Sequence, residues 1–226
     1  MESGPQVIQG VTFAGKTPAL LTTLDGPTAA LSTPEILGPE VADAFLRTIW
    51  RDIGTDKVPF QTHDQNLLRL NALEVHGRNY APLLALHWGL TSLIAQKLSA
   101  NLLPSFAWFR LYFGGDICRV HSDRLACEVS LSLTLGYSDG KPWDLSIGTR
   151  SIADGNNIAD DFGDEPFESF TMEPGDGVLY RGSLRRHGRI APNPNRWSAH
   201  AFLQWVDRDG PYRAEAFERL DLGKLP

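Results

Sequence analysis

The sequence predicts an α+β protein in which helices come first and a sheet-rich core follows. Apolar residues recur at helical spacing before Pro104, and after it they alternate at every second position. Helices followed by a run of short strands are typical of helices packed against a β-sandwich or barrel. Since 226 residues can bury one substantial core, we expect a single domain over 1–226, with helical support over about 33–100 and the sheet core over about 105–212.

Two helices are predicted in the first half of the chain. Thr33 is a candidate N-cap and Pro34 suits the first helical position, where a missing N–H has no cost. The helix should end near Asp52, and its apolar positions are Ile36, Leu37, Val41, Ala44, Phe45 and Ile49. A second leucine-rich helix is expected over about Ala81–Leu98. Residues 55–77 between the helices are mixed and polar, which predicts irregular structure.

The second half of the chain predicts several short strands. The clearest is Glu128–Gly136, where leucine and valine alternate with serine and threonine, the two-residue period of a strand with one apolar face. The acidic segment Ser138–Ser169 is expected to be a partly disordered insertion, and the sequence leaves open whether it forms an ordered lid. The other predicted strands are Trp108–Phe113, Asp144–Gly148, Glu168–Met172, Val178–Tyr180 and Trp197–Val206.

Composition and charge exclude several classes of protein. The formal net charge of -6 argues against general binding of nucleic acid, which needs a basic surface. No run of about 18 apolar residues is present, so no membrane span is expected. The N-terminus lacks the pattern of a signal peptide, and Cys118 and Cys127 are the only cysteines, which favours a reducing cytoplasm. The oligomeric state is left open.

A candidate metal site begins with His121 and Asp123. Two residues that are two positions apart on a strand point to the same face, so both side chains could bind one ion. A neutral imidazole and a carboxylate suit Fe(II), and a second histidine would complete a facial triad with open coordination positions. The triplet alone is weak evidence, because six histidines would produce about one by chance at average composition. His187 is the candidate third ligand, since a turn, a short strand and a glycine precede it.

A candidate anion anchor follows His187 along the chain. Arg196 and Ser198 open a predicted strand and share its interior face, where a guanidinium and a hydroxyl could hold a carboxylate. Arg189 is the alternative anchor, because it lies two residues after His187 on the same strand face. The choice between Arg196 and Arg189 stays open in the sequence.

The spacing Tyr112-x-x-Gly115-x5-His121-x-Asp123, followed by a histidine, a basic residue about ten positions later and a hydrophobic strand, resembles the prolyl-4-hydroxylase-like branch of the Fe(II)/2-oxoglutarate oxygenases. The resemblance covers roughly Phe106–Tyr212, about half of the chain. It implies a double-stranded β-helix (jelly-roll) core buttressed by the N-terminal helices. It also implies that His121, Asp123 and His187 bind Fe(II) as the catalytic centre.

The same resemblance implies an enzyme, a 2-oxoglutarate-dependent non-haem iron dioxygenase that uses O2, with ascorbate as reductant in vitro. Arg196 would bind the distal carboxylate of 2-oxoglutarate, helped by Ser198, and Tyr112 would contact this cosubstrate. Prolyl hydroxylases usually have lysine at the anchor position, whereas Arg-x-Ser is similar to the small-molecule oxygenases. The resemblance therefore implies hydroxylation of an unactivated C–H bond in a small amino-acid-like or natural-product metabolite.

Several alternatives remain open at this point. One is a protein or peptide hydroxylase of the prolyl type, and one of another class is a non-catalytic jelly-roll sensor of a metal or small acid. Desaturation and cyclisation are not separated from hydroxylation. Arg110, Arg189 and His200 are candidate substrate contacts, and a buried structural role is an equal alternative for His200. The other histidines, His63, His76 and His87, are expected at the surface or in packing.

Overall fold

The computed structural model describes residue 24 and residues 30–53, 61–62, 66–151 and 158–219. Two α-helices occur in this part of the chain, α1 (Pro39–Asp52) and α2 (Ala81–Leu98). Neither helix, nor any other described helix, is long and apolar enough to cross a membrane. The described strands are β1 (Ala30–Thr33), β2 (Gln61–Thr62), β3 (Leu73–His76), β4 (Leu102–Phe113), β5 (Cys118–His121), β6 (Val129–Tyr137), β7 (Leu145–Ser151), β8 (Phe167–Phe170), β9 (Gly177–Tyr180), β10 (Arg185–Arg189) and β11 (Trp197–Asp207).

These strands form two mostly antiparallel sheets. The larger sheet has the order β1-β9-β6-β11-β4-β3-β2, and the smaller sheet has the order β5-β10-β7-β8. From β4 onward the chain passes back and forth between the sheets, and only β7 and β8 follow each other within one sheet. This arrangement of antiparallel sheets is consistent with a jelly roll.

The two faces of the larger sheet differ in chemistry. The outer face packs against both helices, and one apolar cluster joins alternate residues of β4, β6 and β11 to the buried sides of α1 and α2. The inner face is polar although it is buried. Its residues on the central strands include Arg110, Tyr112, Ser130, Ser132, Thr134, Ser198, His200 and Gln204. Burying so many polar groups is costly unless they have partners or a ligand, so this interior is where a site is expected.

The predicted helices agree with the structure to different degrees. Helix α2 begins and ends where the leucine pattern predicted. Helix α1 begins at Pro39, and the predicted start at Pro34 is wrong. Thr33 is not an N-cap, because it ends β1 and its hydroxyl donates to the carbonyl of Gly177 at 2.8 Å. The chain has a second proline at a position suited to helix initiation, and the structure uses that one.

One prediction about an irregular segment also needs correction. The segment 55–77 was expected to lack regular structure, but Leu73–His76 forms β3 at the side of β4. The segment Ser138–Ser169 contains β7, where the strand Asp144–Gly148 was predicted, and the first residues of β8. Residues 152–157 of that segment lie outside the described residues.

Candidate metal centre and its cavity

His121, Asp123 and His187 come together between the two sheets. His121 ends β5, His187 lies in β10, and these two strands pair with the histidines directly opposite each other. The Nε2 atoms of His121 and His187 lie 3.8 and 3.7 Å from Oδ1 of Asp123. One ligand atom from each residue lies within 4.8 Å of the others, which is close enough for all three to bind one ion. The predicted triad is therefore assembled in the fold.

The backbone fixes both imidazoles in the form that a metal needs. Nδ1 of His121 lies 2.8 Å from the carbonyl of Arg119, and Nδ1 of His187 lies 3.0 Å from that of Arg185. Since a carbonyl only accepts, each Nδ1 carries the proton and each Nε2 presents a lone pair to the shared centre. Burial, followed by the neighbouring His187, lowers the pKa of His121 to about 3, so this imidazole stays neutral.

A serine and a glycine position the carboxylate. The Ser130 hydroxyl donates to Oδ2 of Asp123 at 3.1 Å, which leaves Oδ1 directed at the two histidines. Gly182 passes so close that a Cβ at this position would lie 2.1 Å from the Ser130 oxygen and 2.4 Å from Oδ2. A side chain at position 182 would collide with these two oxygens. Glycine in the loop before β10 therefore allows Ser130 and Asp123 to take the positions that the metal site needs.

A cavity of about 230 Å³ opens from this triad into the polar interior. Its walls come from both sheets and include Tyr112 of β4 and Arg189 of β10. Other lining residues include Glu74, His76, Trp108, Arg110, Tyr180, Phe202 and Gln204. The cavity therefore connects a candidate metal centre to buried cations.

The two buried arginines of the cavity have different partners. Arg110 pairs with Glu74, whose Oε2 lies 2.9 Å from Nε and 2.7 Å from one terminal nitrogen. Arg110 also donates to the Tyr112 hydroxyl at 3.0 Å. Arg189 is only 1% exposed, and the described residues place no carboxylate within salt-bridge distance of it. A buried cation without a counter-ion is costly, so Arg189 is the position at which an anionic ligand would gain most.

The structure corrects the placement of Arg196. Its side chain is 79% exposed and pairs with Asp139 at 3.3 Å, whereas Ser198 is fully buried on the interior face. Strand β11 begins only at Trp197, and the Asp139 carboxylate binds the backbone N–H of Arg196 at 2.7 Å. The sequence pattern predicted that the strand begins at Arg196, which is one residue too early. Arg196 lies outside the cavity.

The other predicted contacts are placed as follows. Arg110, Tyr112 and Arg189 line the cavity, and His200 lies directly behind Arg189, with Nδ1 3.2 Å from its guanidinium. Ser198 is buried, and its hydroxyl has no partner among the described residues. His76 lies at the cavity wall with Nε2 3.1 Å from Glu74, and His87 is buried behind the sheet, while His63 lies outside the described residues.

Sequence reasoning missed four residues of the site. Trp108 and Gln204 could have been found by counting alternate positions from Arg110 and His200 along their strands, and Ser130 belongs to the alternating polar residues of the predicted strand Glu128–Gly136. Glu74 gave no such signal, because β3 itself was not predicted. Two of these side chains, Trp108 and Gln204, carry a buried polar atom with no partner among the described residues.

Comparison with known proteins shows which solved structures have a similar architecture. No family model and no curated protein sequence matches the chain, but solved structures do. The carbocyclase SnoK from nogalamycin biosynthesis, a non-haem α-ketoglutarate-dependent protein, matches with a TM-score of 0.65 and 14% identity over 99% of this chain and 94% of its own. A Pseudomonas putida prolyl-4-hydroxylase matches with a TM-score of 0.54 and 18% identity over 82% of this chain and 97% of its own.

A third similar structure was solved with ligands. HygX from Streptomyces hygroscopicus, with nickel and 2-oxoglutarate bound, matches with a TM-score of 0.58 and 14% identity over 86% of this chain and 89% of its own. The fold of the chain is similar to that of these three proteins. At these identities the likeness concerns the fold, and at that level it confirms the family resemblance that the motif order indicated.

The described residues also fit the groups that this fold implies. Two neutral imidazoles and one carboxylate are the donor set of a facial triad for Fe(II) with three positions left open. Arg189, for which the described residues supply no carboxylate partner, lies two residues beyond His187 on the same strand, so the two Cα atoms are about 7 Å apart for a strand rise of 3.3–3.4 Å per residue. A dicarboxylate that binds the metal at one end could reach Arg189 with the other.

Proposed function

We propose that the chain is a single-domain Fe(II)- and 2-oxoglutarate-dependent dioxygenase whose strands β4 to β11 form a double-stranded β-helix. One observation carries the proposal. One cavity is lined both by three metal-ligand side chains that meet at one point and by a buried arginine that has no carboxylate partner among the described residues. This combination suits a ligand that has both a metal-binding end and a distal negative charge.

Each site residue would have a separate role. His121, Asp123 and His187 would hold the iron, and Arg189, rather than Arg196, would bind the distal carboxylate of 2-oxoglutarate. Tyr112 lines the same cavity and would contact this cosubstrate. The bound iron, with 2-oxoglutarate and O2, would supply the oxidation of an unactivated C–H bond. The protein orients the reactants and keeps water out of the interior.

A small metabolite is the substrate that the cavity supports best. Its volume of about 230 Å³ leaves room for a cosubstrate and a compact part of a substrate, not for a long peptide. The similar structures include HygX with hygromycin B bound and the epimerase SnoN with nogalamycin RO. Since Glu74 already neutralises Arg110, we propose that the substrate presents uncharged polar groups, such as hydroxyls or amides, to Trp108 and Gln204. Hydroxylation is the proposed outcome.

Succinate formation tests the proposal. Purified protein with Fe(II), ascorbate and 2-oxoglutarate should release succinate slowly by itself and faster with a substrate. Asp123→Ala and His187→Ala should lose iron binding and turnover, whereas Asp43→Ala, which changes an exposed carboxylate on α1, should retain both. Unchanged iron binding in the two ligand variants would refute the metal assignment. Iron and 2-oxoglutarate binding without any succinate would instead favour the sensor alternative.

A further inference from the structure

Arg189 is held in place by uncharged groups. One terminal nitrogen of its guanidinium donates to the backbone carbonyl of Trp143, and the other lies 3.2 Å from Nδ1 of His200. The guanidinium also lies over the indole of Trp143, 5.0 Å from the ring centre. These contacts fix the direction of the arginine but leave its charge intact, because a carbonyl, an imidazole and an indole carry no negative charge.

The contact with Arg189 determines the state of His200. A guanidinium can only donate, so Nδ1 must present its lone pair and the proton must sit on Nε2. The ring is fully buried, with Tyr112 and Tyr137 each 5.8 Å away. Burial, then Arg189 and Arg110, hold the pKa of His200 well below its usual range, so no charge arises beside the arginine.

Arg110 shows how a carboxylate partner affects the charge of a buried arginine in this cavity. Arg110 occupies the strand position directly opposite His200, and it is paired with the carboxylate of Glu74. A buried guanidinium that is bound by a carboxylate has little net charge left for a ligand. Histidine at position 200 gives Arg189 a hydrogen-bond acceptor without this neutralisation.

We infer that His200 is a positioning residue, which aims the Arg189 guanidinium at the distal carboxylate of the cosubstrate and preserves its full charge for that contact. The inference rests on the proposed function, since it specifies how the 2-oxoglutarate end of the same cavity is built. It also assigns a role to a histidine whose sequence position was compatible with a purely structural one. His200 acts through Arg189 and need not touch the ligand.

Three variants separate this role from a general packing role. His200→Leu removes the acceptor, His200→Asn restores an acceptor oxygen near the place of Nδ1, and Arg189→Met removes the anchor itself. The affinity of each variant for 2-oxoglutarate is measured by calorimetry on Mn(II)-loaded protein without oxygen. The matched probe is 2-oxopentanoate, which keeps the metal-binding end but lacks the distal carboxylate. Mn(II) affinity and thermal unfolding show whether each variant is intact.

We expect His200→Leu to weaken 2-oxoglutarate binding about tenfold, the usual effect of losing one hydrogen bond to a charged group. His200→Asn should recover most of that loss, and 2-oxopentanoate should bind all variants alike. If Arg189→Met weakens 2-oxoglutarate binding but His200→Leu does not, the inference is wrong while the proposed function stands. Equal losses for both ligands, or no recovery with asparagine, would also overturn it. Failure of the parent protein to bind 2-oxoglutarate would refute the proposed function itself.

Discussion

Ser130 is the residue whose effect on the metal can be tested most directly. Its hydroxyl is the described side-chain donor to the Asp123 carboxylate oxygen that faces away from the histidines. Ser130→Ala should therefore weaken Fe(II) binding by roughly tenfold, the low end of the range for groups that orient metal ligands. Metal titration without cosubstrate measures this effect.

Ser132 provides a matched control for Ser130. It lies two residues further along β6 on the same buried face, and its hydroxyl has no partner among the described residues. Ser132→Ala should leave metal affinity unchanged. Equal losses in both variants would show that the serine effect reflects general packing rather than the contact with Asp123.

Gly182 gives a second prediction at the residue scale. Gly182→Ala would force its Cβ against the Ser130 and Asp123 oxygens, so we expect a larger loss of metal affinity than Ser130→Ala causes. Gly89→Ala is the control, since nothing lies within 4 Å of a Cβ added at that position in α2. The control should gain up to about 1 kcal/mol of stability from helix propensity. Normal metal binding by Gly182→Ala would contradict the close approach described above.

Single residues also show how far sequence reasoning reached within the site. His121 and Asp123 could be predicted as a pair because they are two positions apart in the sequence, although β5 ends at His121 and Asp123 lies in the segment that follows it. The arginine could not be chosen, because that choice depended on whether a strand begins at residue 196 or 197. Asp139, which binds the backbone of Arg196 and pairs with its exposed side chain, lies far away in the sequence, so the exposure of Arg196 could not be predicted.

At the scale of elements, helix α2 supports the sheet at an irregular position of β11. The register between β11 and β4 shifts between Leu203 and Trp205, and the Gln204 carbonyl at this point receives a hydrogen bond from Nε2 of His87 at 2.8 Å. A shift in register disturbs the ladder locally and redirects side chains, here beside the cavity-lining Gln204. His87 thus connects the apolar helix layer with the site.

His87 makes stability depend on pH. Burial lowers its pKa from 6.5 to about 3, against the opposing effect of the bond to Gln204. Below about pH 6.5 the unfolded chain binds a proton here that the folded chain does not, so the free energy of unfolding falls as the pH drops towards 3. The slope from this one group is at most about 1.4 kcal/mol per pH unit.

Denaturant unfolding of the parent and of His87→Gln at pH 7 and pH 5 measures this contribution. The variant is less stable at pH 7, but its loss between the two values should be smaller, because its side chain does not titrate. Other buried histidines affect both proteins equally, so the difference isolates His87. Parallel pH dependence in the two proteins would mean that His87 is protonated in the fold.

The elements that could be predicted share a strong local pattern. Helix α2 has leucines at helical spacing, and β6 alternates over its whole length, so both were found at nearly their true limits. The short strands β3, β5 and β10 were not predicted, because each has only four or five residues and includes polar or charged residues. Such strands lack the long apolar alternation from which strands are predicted.

For the molecule as a whole, two sheets enclose a polar interior while the helices cover only the outer face of one of them. The buried pair of Glu74 and Arg110 crosses from β3 to β4 and helps to hold β3 at the side of the larger sheet. Both side chains also line the cavity, so this ion pair links the stability of the fold to the charge of the site. Its loss should therefore affect both.

Glu74→Gln tests this link, because it keeps the shape of the side chain and removes the charge. Arg110 would then be a second buried cation without a counter-ion, and we expect the free energy of unfolding to fall by about 3 kcal/mol. Chloride or acetate should restore part of the lost stability in the variant but not in the parent, since the freed guanidinium becomes an anion site. Asp43→Asn, which removes the acid from the exposed pair with Arg47, should leave the unfolding midpoint nearly unchanged. A Glu74→Gln protein as stable as the parent, with no response to anions, would show that Arg110 does not depend on Glu74 for its charge balance.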